Sequence, residues 1–135
     1  MMAPVLDTSA LLAFLWQEPG WEIVAEALEV GGCRMSAVNV AEFVAKAQEK
    51  QTDREQIEIL LDELPMTIVD HDREQAIATG VLRAATRHLG LSLGDRACLA
   101  LAQREQCPVL TADRPWLEVA VPLGLDIVCI RPDAH

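Results

Sequence analysis

Short apolar runs alternate along this chain with longer stretches whose apolar residues recur at helical spacing. Ala3 to Leu6 reads as a short buried strand, and Asp7-Thr8-Ser9 as the turn that starts a helix through Trp16. Glu18-Pro19-Gly20 breaks that helix. Trp21 to Val30 carries Ile23, Val24, Ala27 and Leu28 on one face and stops at Gly31-Gly32. Cys33 to Met35, followed by Ser36, fits a strand ending in a helix N-cap, with the next helix running from Ala37 to about Lys50. Asp53 to Leu64 is another amphipathic helix, closed by Pro65, and Met66-Thr67-Ile68-Val69 is a β-branched strand. A long helix to about Leu89 follows Asp70-His71-Asp72, with Gly90 as its stop. After one more helix come a strand at Val109-Leu110-Thr111, a helical turn at Pro115 to Val119 and a last strand at Ile127 to Ile130. Strands alternating with helices predict one α/β domain over residues 1–135 with a mostly parallel sheet.

The helix not yet placed lies within Leu91 to Ala102. It puts Asp95 at the mouth of a segment that is apolar on every face, which predicts a buried helix with Asp95 where core meets solvent. Ala97, Cys98, Ala100 and Ala102 are small enough to let it lie close against a sheet.

Composition narrows the class. Apolar residues make up 51% of the chain but aromatics only 4%, with no Tyr, so the core is aliphatic and alanine-rich. A net charge of −10 argues against nucleic acid gripped by a general basic surface. Cys33, Cys98, Cys107 and Cys129 form no C-x-x-C pair, so they read as buried free thiols of a reducing compartment rather than zinc ligands. The apolar run from Val5 to Trp16 is interrupted by Asp7 and preceded by no basic residue, so it is neither a signal peptide nor a membrane span. A cytoplasmic location is expected.

Candidate chemistry comes from acids at strand ends, since ligands of an open parallel sheet bind outside the carboxyl ends of its strands. Asp7 follows the first strand, and Asp113 lies just beyond Val109-Leu110-Thr111. Glu42 follows Ser36 by six residues, roughly 9 Å into its helix, with a side chain that leans back toward the helix start. The placement of Asp95 depends on a topology that the sequence does not give; if it falls at the same edge, up to four carboxylates meet there. Such a cluster must take up protons or hold a cation. Oxygen-only ligands select Mg²⁺ or Mn²⁺, one or two ions, and an ion with water left in its shell suits phosphodiester hydrolysis.

Each acid also has an ordinary reading. Asp7 reads as an N-cap, Ser92-Leu93-Gly94-Asp95 as a capping box, and Asp113 as a cap for the turn at Pro115. Glu42 has Lys46 at i, i+4. Elsewhere, Asp72 with Gln75 reads as a helix cap rather than a metal site with His71, and His88 suits its helix dipole. No serine sits in a nucleophile elbow and no glycine-rich loop matches a phosphate cradle.

Four segments resemble, in order and spacing, the motifs of the PIN-domain family, and within it the VapC-type toxin ribonucleases of toxin–antitoxin pairs. They are Val5 to Leu11, Met35 to Phe43, Gly90 to Ala100 and Leu110 to Trp116, and the agreement runs from about residue 4 to residue 131. The resemblance implies a three-layer α/β/α domain with a central five-stranded sheet. It implies an endoribonuclease dependent on Mg²⁺ or Mn²⁺ that cleaves RNA with metal-activated water, leaving a 5′-phosphate and a 3′-hydroxyl. Asp7, Glu42, Asp95 and Asp113 would be the metal-site acids, none of them missing. Ser9, Ser36, Asn39 and Thr111 would orient carboxylates or water. A homodimer and a cognate antitoxin that blocks the site are implied as well. Arg96 and Arg114, each directly after a metal-site acid, are candidates for holding RNA phosphates or for pairing with those acids. The alternatives are an interaction module with a structural or vestigial metal site, or a PIN nuclease of RNA processing outside such a pair.

Overall fold

The computed structural model describes residues 2–132. Among them the order is β1 (Val5–Leu6), α1 (Thr8–Trp16), α2 (Trp21–Val30), β2 (Cys33–Ser36), α3 (Ala37–Glu49), α4 (Arg54–Glu63), β3 (Met66–Val69), α5 (Arg73–Thr86), α6 (Leu93–Glu105), β4 (Val109–Thr111), α7 (Ala120–Leu123) and β5 (Ile127–Cys129). The five strands form one parallel sheet in the order β3-β2-β1-β4-β5, with Val5 opposite Arg34 on one side and Val109 on the other.

A parallel sheet is stable when both faces are covered, and the strand residues divide accordingly. Leu6, Cys33, Met35 and Leu110 pack into one core with α1, α2 and Phe43 of α3. Val5, Val109 and Ile127 face the other way, into a core with α6, Leu82 of α5 and Trp116. The three-layer α/β/α arrangement with a five-stranded sheet is therefore as expected. Helix α6 is buried from Ala97 to Ala102, as its all-round apolar character predicted.

Departures from the expected elements are local. The first strand pairs over two residues rather than four, and the second extends to Ser36. The long helix is α-helical to Thr86, and a 3₁₀ turn, Arg87–Leu89, completes it before Gly90 at φ +64° ends it. Helix α7 was not among the expected elements, and it contains Pro122. Proline is tolerated in a first helical turn, where its missing N–H would have had no intrahelical partner. All four cysteines are free, Cys129 half-buried and the others buried. Among the described residues, no helix is long and apolar enough to cross a membrane.

Candidate active site

The sheet order sets the site. From β1 the chain moves outward through β2 and β3, then crosses to the other side of β1 for β4, so the topological switch lies between β1 and β4. Asp7 leaves β1 there and Asp113 leaves β4 beside it. Backbone bonds hold the two ends together, since Asp7 N–H donates to Leu110 O at 3.0 Å. The turn after Asp113 is anchored by Trp116, which is fully buried.

Asp7 is 2% exposed, and its carboxylate is not a helix cap, since it accepts no capping bond from the backbone N–H groups that open α1. Instead its Oδ2 accepts from Ser9 Oγ at 2.6 Å and from Thr111 Oγ1 at 3.0 Å. Both hydroxyl protons are thereby committed. Ser9 Oγ then accepts from Ala112 N–H at 2.9 Å and Thr111 Oγ1 from Asp113 N–H at 3.1 Å. One pair of hydroxyls thus fixes both the buried acid and the backbone that presents Asp113.

Asp95 does what the capping-box reading said. Ser92 Oγ accepts from its N–H at 3.2 Å, and its Oδ2 accepts from Ser92 N–H at 2.9 Å. The cap and the cluster are compatible, because the same residue offers an oxygen within 4.8 Å of oxygens from Asp7 and Asp113. Asp113 is exposed and makes no side-chain cap bond.

Glu42 is not part of that group of three. It lines the same cleft, a space of about 500 Å³, but its Oε1 accepts from Thr8 Oγ1 at 2.8 Å and from Asn39 Nδ2 at 3.2 Å. No ion pair joins it to Lys46 among the described residues. Asn39, fully buried, also donates to Gly94 O at 2.9 Å and so ties α3 to α6. The two helices meet so closely that a Cβ on Gly94 would overlap the Glu42 carboxyl group.

Burial is the main cause that lifts the Asp7 carboxyl to about 7; the Asp95 and Asp113 charges push the same way, and the Ser9 and Thr111 hydroxyls oppose them. Asp95 is also raised, first by burial, against its bonds to Ser92 and with Asp113 and Glu42 adding repulsion. The donor set fits a hard divalent cation. It is all oxygen, it crowds three carboxylates, and the bonds just described fall on one oxygen each of Asp7 and Asp95, leaving the other of each without them.

A family model for the PIN domain matches residues 5–122. The chain belongs to the PIN-domain family. It is 36% identical over 116 residues to a VapC ribonuclease of Mycobacterium bovis and to ribonuclease VapC42 of Mycobacterium tuberculosis, covering 78% of this chain and 87% of each relative. Among solved structures, a toxin–antitoxin complex from Klebsiella pneumoniae superposes with a TM-score of 0.72 at 19% identity, over 96% of this chain and 99% of that one. DNA-bound VapBC from Salmonella typhimurium gives 0.72 at 18% identity, with the same shares covered. These structures are similar in fold.

Against this PIN frame, the residues expected beside the acids separate. Ser9, Asn39 and Thr111 bond to carboxylates as described. Ser36 instead caps α3, accepting from Val38 N–H at 3.2 Å. Arg96 does not line the cleft. It is 8% exposed, and its Nη1 donates to the Thr79 carbonyl at 3.0 Å, bolting α6 to α5. One step beyond Asp95 on a helix turns a side chain by about 100°, which here points it into the protein. Arg114 is exposed, and its Nη2 donates to Arg131 O at 2.9 Å. Thr8, Lys46 and Arg131, which do line the cleft, were not among the expected residues. Thr8 was legible in principle, lying between two residues already chosen. Arg131 reaches the site only through the sheet order.

Proposed function

We propose that this PIN-domain protein is a divalent-metal-dependent endoribonuclease, the toxin of a toxin–antitoxin pair. In this reading it acts in the cytoplasm as a homodimer and is silenced when its cognate antitoxin covers the cleft. The observation that carries the reading is the convergence of Asp7, Asp95 and Asp113 at the topological switch, with Glu42 in the same cleft. The kinship with VapC ribonucleases supports RNA as substrate, and the toxin–antitoxin neighbours support the antitoxin.

Asp7, Asp95 and Asp113 would hold one or two Mg²⁺ or Mn²⁺ ions, with Glu42 a further ligand directly or through water. Such an ion makes hydroxide available near neutral pH and neutralises charge on the phosphate. The chain's own part is orientation. Ser9 and Thr111 fix the buried Asp7 carboxylate, so it meets its ligand without reorganising. Thr8 and Asn39 do the same for Glu42. Among the described residues no histidine lines the cleft, so none of them offers an imidazole as general base.

The test is cleavage of RNA by the purified protein with Mg²⁺ or Mn²⁺, the products mapped for a 5′-phosphate and a 3′-hydroxyl, beside Asp7→Asn and Asp95→Asn. The wild type should cleave and arrest growth when expressed, and the variants should do neither. Absence of cleavage by the wild type, with growth arrest equal in the variants, would leave an interaction module. Light scattering of the purified protein checks the dimer.

A further inference from the structure

The cleft is not uniformly acidic. Lys46 and Arg131 line it together with Trp16 and Leu12. Lys46 and Lys50 are the only lysines of the chain, and both lie at the C-terminal end of α3, one and two steps of four residues beyond Glu42. Lys50 Nζ lies 4.9 Å from the centre of the Trp16 ring. In a chain of net charge −10, a cation beside acids is expected to be neutralised by them. Lys46 is not. Its natural i, i+4 partner, Glu42, is bonded to Thr8 and Asn39, so the exposed ammonium stays in the cleft without an ion-pair partner among the described residues. Among the described residues Arg131 pairs only with Glu18, at 3.9 Å, with both side chains close to half exposed, a weak pair in water.

Cations combined with an aromatic ring make the surface that single-stranded nucleic acid uses: phosphates lie on the cations and a base stacks on the ring. We propose that Lys46, Lys50, Arg131 and Trp16 form the track that holds a single-stranded stretch of RNA beside the acids. Lys46 and Arg131 hold the phosphates flanking the scissile one. Trp16 takes an unstacked base, displacing Lys50 from the ring onto the adjoining backbone. The inference rests on the nuclease reading above and adds to it which strand the cleft accepts. It also explains how a strongly acidic protein binds a polyanion, since the needed positive charge is gathered at one wall rather than spread over the surface.

The test is fluorescence anisotropy with a fluorescein-labelled single-stranded RNA of mixed sequence. Ca²⁺ replaces the catalytic ions, and salt is varied. Lys46→Glu should weaken binding tenfold or more, and Lys46→Gln and Arg131→Gln should each lower the slope of log affinity on log salt by about 0.7, the value for one single-strand phosphate contact. Trp16→Leu should weaken binding roughly tenfold while Trp16→Phe keeps most of it, because stacking needs a ring. A wild type that cleaves and binds RNA while Lys46→Glu and Trp16→Leu match it in affinity and slope overturns the track and leaves the nuclease reading standing. A wild type that cleaves no RNA overturns both. Unchanged RNA affinity with a weakened hold on a co-expressed antitoxin would assign the wall to that protein, and so also overturns the track. Lys46 is exposed, so its variants keep the comparison valid even if replacing Trp16 disturbs the core.

Discussion

The Glu42 carboxyl group fills the space that a side chain at position 94 would need. Gly94 is buried in the first turn of α6, and Asn39 bridges the two, donating both to Glu42 and to the Gly94 carbonyl. Glycine here serves the acid on the neighbouring helix, not a turn. Gly94→Ala should therefore leave the fold intact, because Ala favours helix by up to about 1 kcal/mol and the clash falls on the movable end of a side chain. Cleavage should fall by tenfold or more as Glu42 is pushed aside. Unfolding curves run beside RNA-cleavage rates check this; full activity in the variant would remove Glu42 from the chemistry.

A buried acid lifted to about 7 makes the metal-free protein pH-sensitive in a defined direction. The folded state holds the Asp7 proton more tightly than the unfolded chain, whose carboxyl titrates near ~3.9. Stability therefore falls as pH rises from about 4 to 7 and is flat above that, a loss of at most ~4 kcal/mol from this group. Asp7→Asn should remove this group's share of the slope, leaving the smaller part due to Asp95, and melt higher than the wild type at pH 7.5 in EDTA. Divalent cation should raise the wild type's melting temperature far more than the variant's and close most of the gap, since an ion at 100 times its Kd stabilises the wild type by about 2.7 kcal/mol and the variant little. Thermal melts across pH, with and without Mn²⁺, check both signs.

Elements and motif positions were legible in the sequence because the signals are local. Helix α6 is apolar all round, α3 opens on a Ser36 cap that forms as expected, and Asp72 accepts from Gln75 N–H at 2.9 Å as its spacing suggested. What was not legible depends on which way a side chain turns once the layers pack. Arg96 and Asp95 are neighbours in sequence, yet one bolts two helices and the other opens to the cleft. Lys46 was read as a partner for Glu42, but Thr8, thirty-four residues earlier in the chain, takes that carboxylate. Arg131 is brought to the acids by the crossover that places β5 beyond β4, which no local pattern states.

Asp95 carries two roles that substitution can separate. Asn at position 95 keeps a carbonyl oxygen for Ser92 N–H, so the capping box survives, while the charge facing Asp7 and Asp113 is lost. Asp95→Asn should unfold within about 0.5 kcal/mol of wild type and lose nearly all cleavage. Ser92→Ala removes the hydroxyl that accepts from Asp95 N–H and should cost about 1 kcal/mol of stability, with cleavage reduced only modestly. Denaturant unfolding and cleavage rates measured on the pair check the separation. If Ser92→Ala proves as inactive as Asp95→Asn, the cap itself sets the position of the acid.

Thr111 contributes one of the two hydroxyl protons that hold the Asp7 carboxylate, at 3.0 Å, and it does so from the far side of the switch point. Valine has nearly the same shape and no proton to give. Thr111→Val leaves Ser9 as the sole donor to Asp7 and also frees Asp113 N–H, so both acids lose part of their restraint. A hydrogen bond to a charged group is worth about 1.5–3 kcal/mol, so the Asp7 carboxyl should hold its proton to a pH at least one unit higher. Because a cation must displace that proton, the variant's affinity for Mn²⁺ should fall most steeply below pH 8 and recover toward the wild-type value above it. Titration calorimetry with Mn²⁺ at several pH values, followed by cleavage rates at saturating ion, distinguishes this from a simple loss of packing, which would lower affinity equally at every pH.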